Sequence, residues 1–512
     1  MQKVLLAVLV GNVTLRFFTN YLNVLPRIFN IADLFLVTLM ALLFVLGGRD
    51  PQPSKRGFGK FTRRLLLFNV IAIVGTLLNT QYIYPLSSFS QLLMWNEPIV
   101  LFLLLSHARL SMADVEQFMR VLVRLLKLEL FIGFIQVFQY LKTGDSEEIL
   151  GTFHHNAEQY QAFVLIGVYY LIGRLESRDT QRRTRNKIAI VAILALVILI
   201  DNKASWLATA LTLGYILTTM PTLGLHVRSR AKYLTAFAVI VIFGYLAVIF
   251  TSTSLVKYSH VFEAWDTGNL LNIGKIKAYE DVMDAYWEHP HMILFGSGLG
   301  TFYSRAAWQF IPPKIQEIYS QPFEPTKQAL SESNSMQGVI TPVTNIEPFY
   351  RQFYRDRKIF QIFSGTADQP VSTYVSLLGE TGVIASLIYV WFYLSTLKQL
   401  KELLRTFGHD VFIFPFAVAS MGFLIYLMCM GTYNFWLEDA RLSTILWGMI
   451  AMVFKYAELK RGDANDRPYK PMPALVKSNA PIPRQVLPQP QETWVHRNQV
   501  FARGLEGRRF KG

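Results

Sequence analysis

The stretch Gly296-Ser297-Gly298-Leu299-Gly300-Thr301-Phe302 lies in the interval 254–370, which separates two sets of strongly apolar segments. Apolar runs on both sides of this interval approach the roughly 17–25 residues that cross a hydrocarbon core, and no run within it does. The segment from Lys275 to Pro290 is typical of a helix that stops at the proline, because proline cannot continue a helix. We therefore expect one large loop between membrane helices, with the glycines in a tight turn.

The composition of the whole chain favours a polytopic membrane protein. Its 512 residues are 52% hydrophobic and 14% aromatic, and the mean hydropathy is +0.30, which is more apolar than soluble domains of this size usually are. The net charge of +15 does not call for a nucleic-acid partner, because Lys and Arg gather in links between apolar runs. The single cysteine, Cys429, excludes a disulfide within the chain and a thiolate metal cluster.

The apolar runs predict an all-α integral membrane protein with about twelve transmembrane helices and one large extracytoplasmic loop. The runs are, approximately, 4–22, 32–46, 65–78, 92–105, 126–140, 163–171, 188–200, 206–220, 234–250, 371–394, 411–430 and 442–454. The chain is thereby divided into 1–253 with about nine spans, the loop 254–370, 371–456 with about three spans, and a tail 457–512. The tail is basic and Pro-rich, and we expect it to be disordered.

The distribution of positive charge predicts the orientation of these spans. Strongly basic links follow every second span, on the side of both termini, and such links stay in the cytoplasm. The acidic loop 142–156, the turn 201–203 and the large loop 254–370 then face outward together. We expect a multi-pass protein with both termini cytoplasmic and one shared outward surface.

Several cations stand on the predicted outward side, against the usual charge rule, and an anionic substrate would explain them. Arg and Lys can hold a pyrophosphate and stabilise the charge that develops as it leaves. Anchoring to lipid headgroups, or ion pairs with nearby carboxylates, would explain them equally well. The candidate pyrophosphate-binding residues are Lys203, Lys275, Arg351, Arg355 and Arg357.

The glycine stretch and one carboxylate inside a span form a second group of candidates. Gly296, Gly298 and Gly300 resemble a phosphate-cradling loop only weakly, because no strand–helix unit surrounds them, and a tight turn is favoured. Glu380 lies inside the tenth run, at a depth where a carboxylate is costly. It either makes a structural hydrogen bond or contacts substrate.

Three residues on the predicted outward side are candidates for a general base. These are His154, His155 and Asp368, and a base is unnecessary if orientation of the acceptor dominates the reaction. No histidine spacing is typical of a metal site, so we expect neither a metal nor another cofactor.

Four segments together resemble the O-antigen ligase and polysaccharide polymerase family of bacterial inner-membrane glycosyltransferases. The segment 275–302 resembles its helix, His-Pro and glycine element, and 371–382 resembles its Leu-x-Glu-x-Gly element. Residues 201–206 are similar to its Ser-Arg turn, and 151–156 to an earlier outward loop. The order and spacing of the segments carry the resemblance.

The resemblance implies a GT-C-like membrane enzyme that needs no metal or nucleotide sugar. Such enzymes take a glycan from undecaprenyl pyrophosphate at the periplasmic face and pass it to an acceptor glycan. The implied step is attack by an acceptor hydroxyl on the anomeric carbon, with a base taking the proton and cations receiving the pyrophosphate. A chain-length regulator or a flippase would be possible partners.

Departures from the family pattern separate the functional alternatives. Lysines stand at 203 and 275 where the family commonly has arginine, so the charge is kept and the bidentate fork is lost. Val371-Ser372 stands where ligases place His-Asn, which favours a polymerase of capsule, exopolysaccharide or O-antigen repeats over an O-antigen ligase acting on lipid A core. A polysaccharide or lipid transporter is the alternative of another class, and it would require broken spans with charges at the midplane.

Overall fold

The computed structural model describes the chain in ten segments and at isolated positions between 6 and 45. The segments are 58–79, 85–143, 148–153, 157–177, 183–200, 203–219, 274–302, 304–306, 372–408 and 410–466. Every regular element within these residues is a helix, and none of them forms a strand. The predicted all-α class is therefore confirmed.

Six helices precede the interval 254–370, two lie within it and three follow it in the described part of the chain. They are α1 Phe58–Leu78, α2 Pro85–His107, α3 Met112–Thr143, α4 Ala157–Glu176, α5 Arg183–Leu199, α6 Lys203–Thr219, α7 Gly274–Glu288, α8 Met292–Phe295, α9 Thr373–Thr406, α10 Ile413–Met430 and α11 Ala440–Asp466. Helices thus cover the third to eighth and the tenth to twelfth predicted spans. The helix predicted to stop at Pro290 is α7.

Five of these helices are long and apolar enough to cross a membrane. The candidate spans are Phe61–Leu78, Pro85–His107, Thr373–Thr406, Ile413–Met430 and Arg441–Arg461. The other described helices are shorter or more polar. Most of the first, second and ninth predicted spans lies outside the described residues, so the total of about twelve stays a prediction.

Helix α10 lies at the centre of the packing. It contacts α4, α6 and α9, and 89% of its apolar window is buried. A helix that is apolar on all sides is stable only when protein or lipid surrounds it, and here most of its surface meets protein. Close contact with α4 is possible because Gly173 faces Pro415 and Gly422 faces Tyr169.

A cluster of aromatic side chains joins α1, α2, α9 and α11. The ring centroids of Trp95 and Tyr389 are 4.7 Å apart, and those of Phe392 and Trp447 are 4.9 Å apart. Phe61 packs edge-on to Phe392 at 5.1 Å. Edge-on and tilted contacts of this kind stabilise beyond the apolar area they bury, so they hold the early and late helices together.

The pattern of contacts between residues divides the chain into two units, with the boundary between Gly462 and Asp463. The first unit contains every helix given above except the end of α11. Of the second unit, only residues 463–466 at the end of α11 are described. The predicted tail 457–512 begins within α11, which continues through residues 457–466, and the rest of this tail lies outside the described residues.

Candidate functional site

The glycine turn and helix α9 meet at a break in that helix. Gly382 has φ 73°, which interrupts the helical backbone of α9. The carbonyls of Gly379 and Glu380, just before the break, accept hydrogen bonds from the backbone N–H groups of Ser297 (2.8 Å) and Gly298 (3.1 Å). Irregular backbone within a membrane protein must find its hydrogen bonds inside the protein, and the turn supplies them here. The turn and the break are one structural unit.

Glycine is required at two of the positions where these backbones touch. Gly296 and Gly382 have φ values of 71° and 73°, in the left-handed region that favours glycine. A Cβ on Gly382 would lie 2.6 Å from the carbonyl oxygen of Leu294, and one on Gly296 would overlap the backbone of Glu380. The tight turn predicted from the sequence is present, and its glycines permit close approach of two backbones.

Glu380 holds the far end of the turn. Its buried carboxylate accepts the backbone N–H of Gly300 at 2.8 Å with one oxygen and that of Phe302 at 3.0 Å with the other. The two N–H groups give each oxygen of this buried carboxyl group a hydrogen-bond partner. The sequence left two roles open for Glu380, a structural hydrogen bond or a contact with substrate. This geometry corresponds to the structural hydrogen bond.

The opposite side of the turn rests on the ends of α1 and α2. Ser88 donates to the carbonyl of Leu299 at 2.6 Å, and Thr76 accepts the Leu299 N–H at 3.0 Å. Asn79 donates to the carbonyl of Gly296 at 3.2 Å and accepts from the ring of His291 at 3.1 Å. The turn is therefore fixed between α1, α2 and α9 at one end of the bundle.

A second buried carboxylate, Glu438, lies in the link between α10 and α11. It accepts hydrogen bonds from Gln91 at 2.9 Å, from the backbone N–H of Arg305 at 3.0 Å, and from the hydroxyl of Ser376. Burial raises the pKa of this carboxyl above its usual value, and the three donors oppose that shift. Glu438 thus ties the residues after the glycine turn to α2 and α9.

Beside Glu438 is a small cavity of about 130 Å³ that contains an ion pair. Arg305 Nη1 lies 2.8 Å from Asp439 Oδ2, and Gln159 also donates to this oxygen. The other carboxylate oxygen of Asp439 accepts the backbone N–H groups of Arg441 and Leu442, so Asp439 caps the start of α11. The lining residues are Glu158, Gln159, Arg305, Asn434, Phe435, Trp436 and Asp439.

The chemistry of this cavity, named the Arg305 pocket from here, suits a group rich in hydroxyls. Carboxylates and side-chain amides accept and donate hydrogen bonds, and the rings of Phe435 and Trp436 offer apolar faces. Glu158 accepts from Asn434 at 3.2 Å and is only partly buried, so its carboxylate can meet a ligand. No group of three or more His, Cys, Asp or Glu side chains in the described ranges has a metal-binding arrangement.

The predicted cations lie partly outside what the structure describes. Lys203 is the first residue of α6 and Lys275 the second of α7, but their side chains lie outside the described residues. The remaining candidate bases and pyrophosphate-binding residues lie entirely outside the described residues. They are His154, His155, Arg351, Arg355, Arg357 and Asp368.

The backbone nevertheless puts both lysines at the end of the bundle that holds the Arg305 pocket. Two residues after Lys203, the hydroxyl of Ser205 lies 2.6 Å from that of Tyr426, whose ring packs against Trp436 of the pocket. One helical turn after Lys275, Tyr279 makes a hydrogen bond with Ser372. The residue next to Ser372, Thr373, donates its backbone N–H to the carbonyl of Asn434, which also lines the pocket.

Reasoning from the sequence missed the Arg305 pocket. A signal was available in Glu438-Asp439, two carboxylates directly before the last apolar run, since charges at the end of a span are costly unless paired. Arg305 follows the glycine turn by a few residues and gave a weaker signal. Glu158 and Gln159 at the start of α4 gave none, because polar residues are common at helix ends.

Comparison with known proteins adds no family to these observations. The chain matches no family model and no curated protein.

Proposed function

We propose that this protein is a metal-independent glycosyltransferase of the bacterial inner membrane that polymerises polysaccharide repeat units. The observation that carries the proposal is the Arg305 pocket, which lies beside the glycine turn at the end of the bundle where Lys203 and Lys275 begin their helices. Its carboxylates, amides and aromatic rings fit a sugar, and nearby cations fit the diphosphate of a lipid-linked donor. The four segments that resemble the O-antigen ligase and polymerase family support the same reaction.

In the proposed reaction an acceptor sugar hydroxyl attacks the anomeric carbon of a glycan on undecaprenyl pyrophosphate. A C–O glycosidic bond forms, the bond from the anomeric carbon to the phosphate oxygen breaks, and the lipid pyrophosphate leaves with that oxygen. Lys203, Lys275, Arg351, Arg355 and Arg357 would receive the developing charge, because fixed cations stabilise a leaving pyrophosphate most as it separates. Lysine does this as a point charge rather than as a bidentate fork.

The proton of the acceptor hydroxyl goes to a carboxylate or an imidazole. Asp368, His154 and His155 remain candidates, and the Arg305 pocket adds Glu158, whose carboxylate is partly exposed within it. The pocket is smaller than the roughly 300–1,000 Å³ that encloses a drug-sized ligand. It therefore suits one sugar of the acceptor rather than a whole repeat.

A ligase would use the same donor and a different acceptor, so the glycan pool of a deletion strain separates the two activities. A polymerase deletion accumulates single repeats on undecaprenyl pyrophosphate, because flipped donors are no longer joined. A ligase deletion accumulates long chains on the same lipid. Recovery of long lipid-linked chains would overturn the polymerase assignment in favour of the ligase.

One observation favours a transporter, because broken helices are typical of transporter sites and α9 is broken at Gly382. In this protein the break packs against the backbone of α8, and the glycine turn occupies its carbonyls. The break is thus filled by protein, whereas a transporter would use it for cargo. Lipid-linked repeats trapped on the cytoplasmic face of the deletion strain would support the transporter instead.

A further inference from the structure

A second cavity, of about 460 Å³, lies between α3, α4 and α5. It contains Arg174 near the end of α4, whereas the Arg305 pocket contains Glu158 near its start. Sixteen residues of helix separate these two positions, which corresponds to about 24 Å along the axis. The cavity, named the α3–α5 groove here, is therefore remote from the proposed reaction and lies toward the end of the bundle that carries basic links.

One end of the groove is cationic. Lys127, Arg174 and Arg185 line it, and none of its lining residues in the described part of the chain is acidic. Helix α4 runs antiparallel to α3 and α5 along the groove. The same end of the groove is therefore lined by the end of α4, the start of α5 and the earlier of the α3 lining residues. The three cations therefore converge there and favour an anion.

A buried donor near the cations has no partner among the residues that the structure describes. Asn186 lines the groove and its side chain is only 3% exposed. Its amide nitrogen makes no hydrogen bond within the described residues. A buried N–H group without an acceptor is unfavourable, so a ligand oxygen that accepts its hydrogen bond would stabilise this site.

The other end of the groove is apolar. Leu130 and Phe134 of α3, Gly167 and Tyr170 of α4, and Ile193 of α5 line it, away from the cations. Phe134 is 40% exposed, and Leu128, Phe131 and Ile135 of the same helix are also open on their outer side. In a membrane protein such a surface faces acyl chains, so one chain can extend from the bilayer into the groove.

We propose that the α3–α5 groove holds one anionic phospholipid. The phosphate lies among Lys127, Arg174 and Arg185, and the amide of Asn186 donates a hydrogen bond to one of its oxygens. One acyl chain follows Leu130, Phe134 and Ile193. The inference does not depend on the proposed glycosyltransferase activity, because none of these residues lies at the Arg305 pocket.

Native mass spectrometry of the detergent-solubilised full chain tests the headgroup end. The protein is titrated with phosphatidylglycerol and with phosphatidylcholine of the same acyl chains. Wild type should bind the first phosphatidylglycerol about tenfold more tightly than phosphatidylcholine, since each basic residue near an anionic headgroup contributes severalfold. The Lys127→Gln/Arg185→Gln variant should lose that preference.

A charge-matched control separates a specific site from general positive charge. Lys398 and Arg405 are exposed on α9, away from the groove, so Lys398→Gln/Arg405→Gln removes the same charge and should keep the tenfold preference. Equal preference in wild type and both double variants would overturn the proposal. Equal loss in both double variants would also overturn it, because binding would then follow net charge alone.

A third variant tests the acyl end. A Cβ on Gly167 would meet only Ile193, at 3.6 Å, so a larger side chain fits the helix and projects into the groove. Gly167→Leu should weaken binding of both lipids by a similar factor, because it fills the space of the chain and leaves the cations in place. Unchanged binding of both lipids would show that no chain enters the groove.

Discussion

The carboxylate of Glu380 accepts the backbone N–H of Gly300 at 2.8 Å, across a sequence separation of 80 residues. The contact joins a residue within helix α9 to the glycine turn, which lies much earlier in the sequence. The contact satisfies both partners. A buried carboxylate needs hydrogen-bond donors, and the backbone N–H groups of an irregular turn need acceptors. Loss of the carboxylate should therefore destabilise the packing of the glycine turn against α9.

Replacing Glu380 with glutamine should lower the thermal stability of the purified protein. The amide nitrogen of glutamine would face one of the N–H groups of Gly300 and Phe302, which leaves a buried donor without an acceptor, at a cost of about 1–3 kcal/mol. Thermal unfolding in detergent, followed by tryptophan fluorescence, measures the shift. Glu402→Gln, at an exposed position of the same helix, should leave the unfolding temperature unchanged. Equal unfolding temperatures for wild type and Glu380→Gln would contradict the anchoring role.

Substitution of alanine for Gly382 should destabilise the protein or prevent its accumulation. Alanine is strained at φ 73°, at a cost of about 1–3 kcal/mol, and its Cβ would collide with the carbonyl of Leu294. Gly214→Ala in α6 is the matched control, because a Cβ there meets nothing within 4 Å and alanine favours a helix. The yield of monodisperse protein by size-exclusion chromatography checks both. A normal yield of Gly382→Ala would mean that α9 runs straight in solution.

The link between α9 and α10 should give the protein an acid-sensitive contact. Burial alone would raise the pKa of Asp410, but hydrogen bonds from Lys460 and from the backbone N–H groups of Ile413 and Phe412 outweigh it and hold the pKa below its usual value of 3.8. A carboxylate whose folded pKa is lowered stabilises the fold above its unfolded pKa and stops doing so as pH falls through the folded pKa.

Asp410→Asn should therefore unfold at a lower temperature than wild type at pH 7, and the difference should shrink as the pH falls below about 4. Thermal unfolding of both proteins across that range measures the effect. Asp114→Asn is a suitable control, since Asp114 is only partly buried and its hydrogen bonds are made with Ser111, three residues away in sequence. A difference between Asp410→Asn and wild type that does not depend on pH would contradict the ion pair with Lys460.

Arg305→Gln should reduce polymer formation while leaving the protein folded. The side chain loses its ion pair with Asp439, but the backbone N–H that reaches Glu438 remains. With the guanidinium gone, Oδ2 of Asp439 loses its cation and keeps the hydrogen bond from Gln159, and we expect at least about a tenfold loss of activity. Arg120→Gln is the control, since its pair with Glu116 lies on an exposed helix face and contributes little. Wild-type polymer from Arg305→Gln would remove the pocket from the reaction.

Hydropathy and proline placement were enough to predict much of the architecture. Apolar runs located α9, α10 and α11, and Pro290 located the end of α7, because both signals are local. The glycines of the turn could also be assigned to a tight conformation from their spacing alone. These features depend on the chemistry of neighbouring residues, which the sequence displays directly.

The partners of the turn could not be predicted, because they are distant in sequence and no periodicity marks them. Ser88 and Asn79 are ordinary polar residues at helix ends, yet both donate to the turn more than 200 positions later. Arg305 and Asp439 meet beside Glu438, whose carboxylate accepts from α2, from α9 and from the backbone of Arg305. Such contacts result from the packing of distant helices, and neither the composition nor the spacing of residues predicts them.

The most direct test of the account is the polymer made by a Lys203→Ala/Lys275→Ala variant in a strain that lacks the native protein. We predict no polymer and an accumulation of single lipid-linked repeats, because the departing pyrophosphate loses two of its proposed cations. The variant should elute as a folded protein in size-exclusion chromatography, and Lys398→Ala/Arg405→Ala, which removes equal charge elsewhere, should make normal polymer. Polymer of wild-type length from the Lys203→Ala/Lys275→Ala variant would contradict the proposed mechanism.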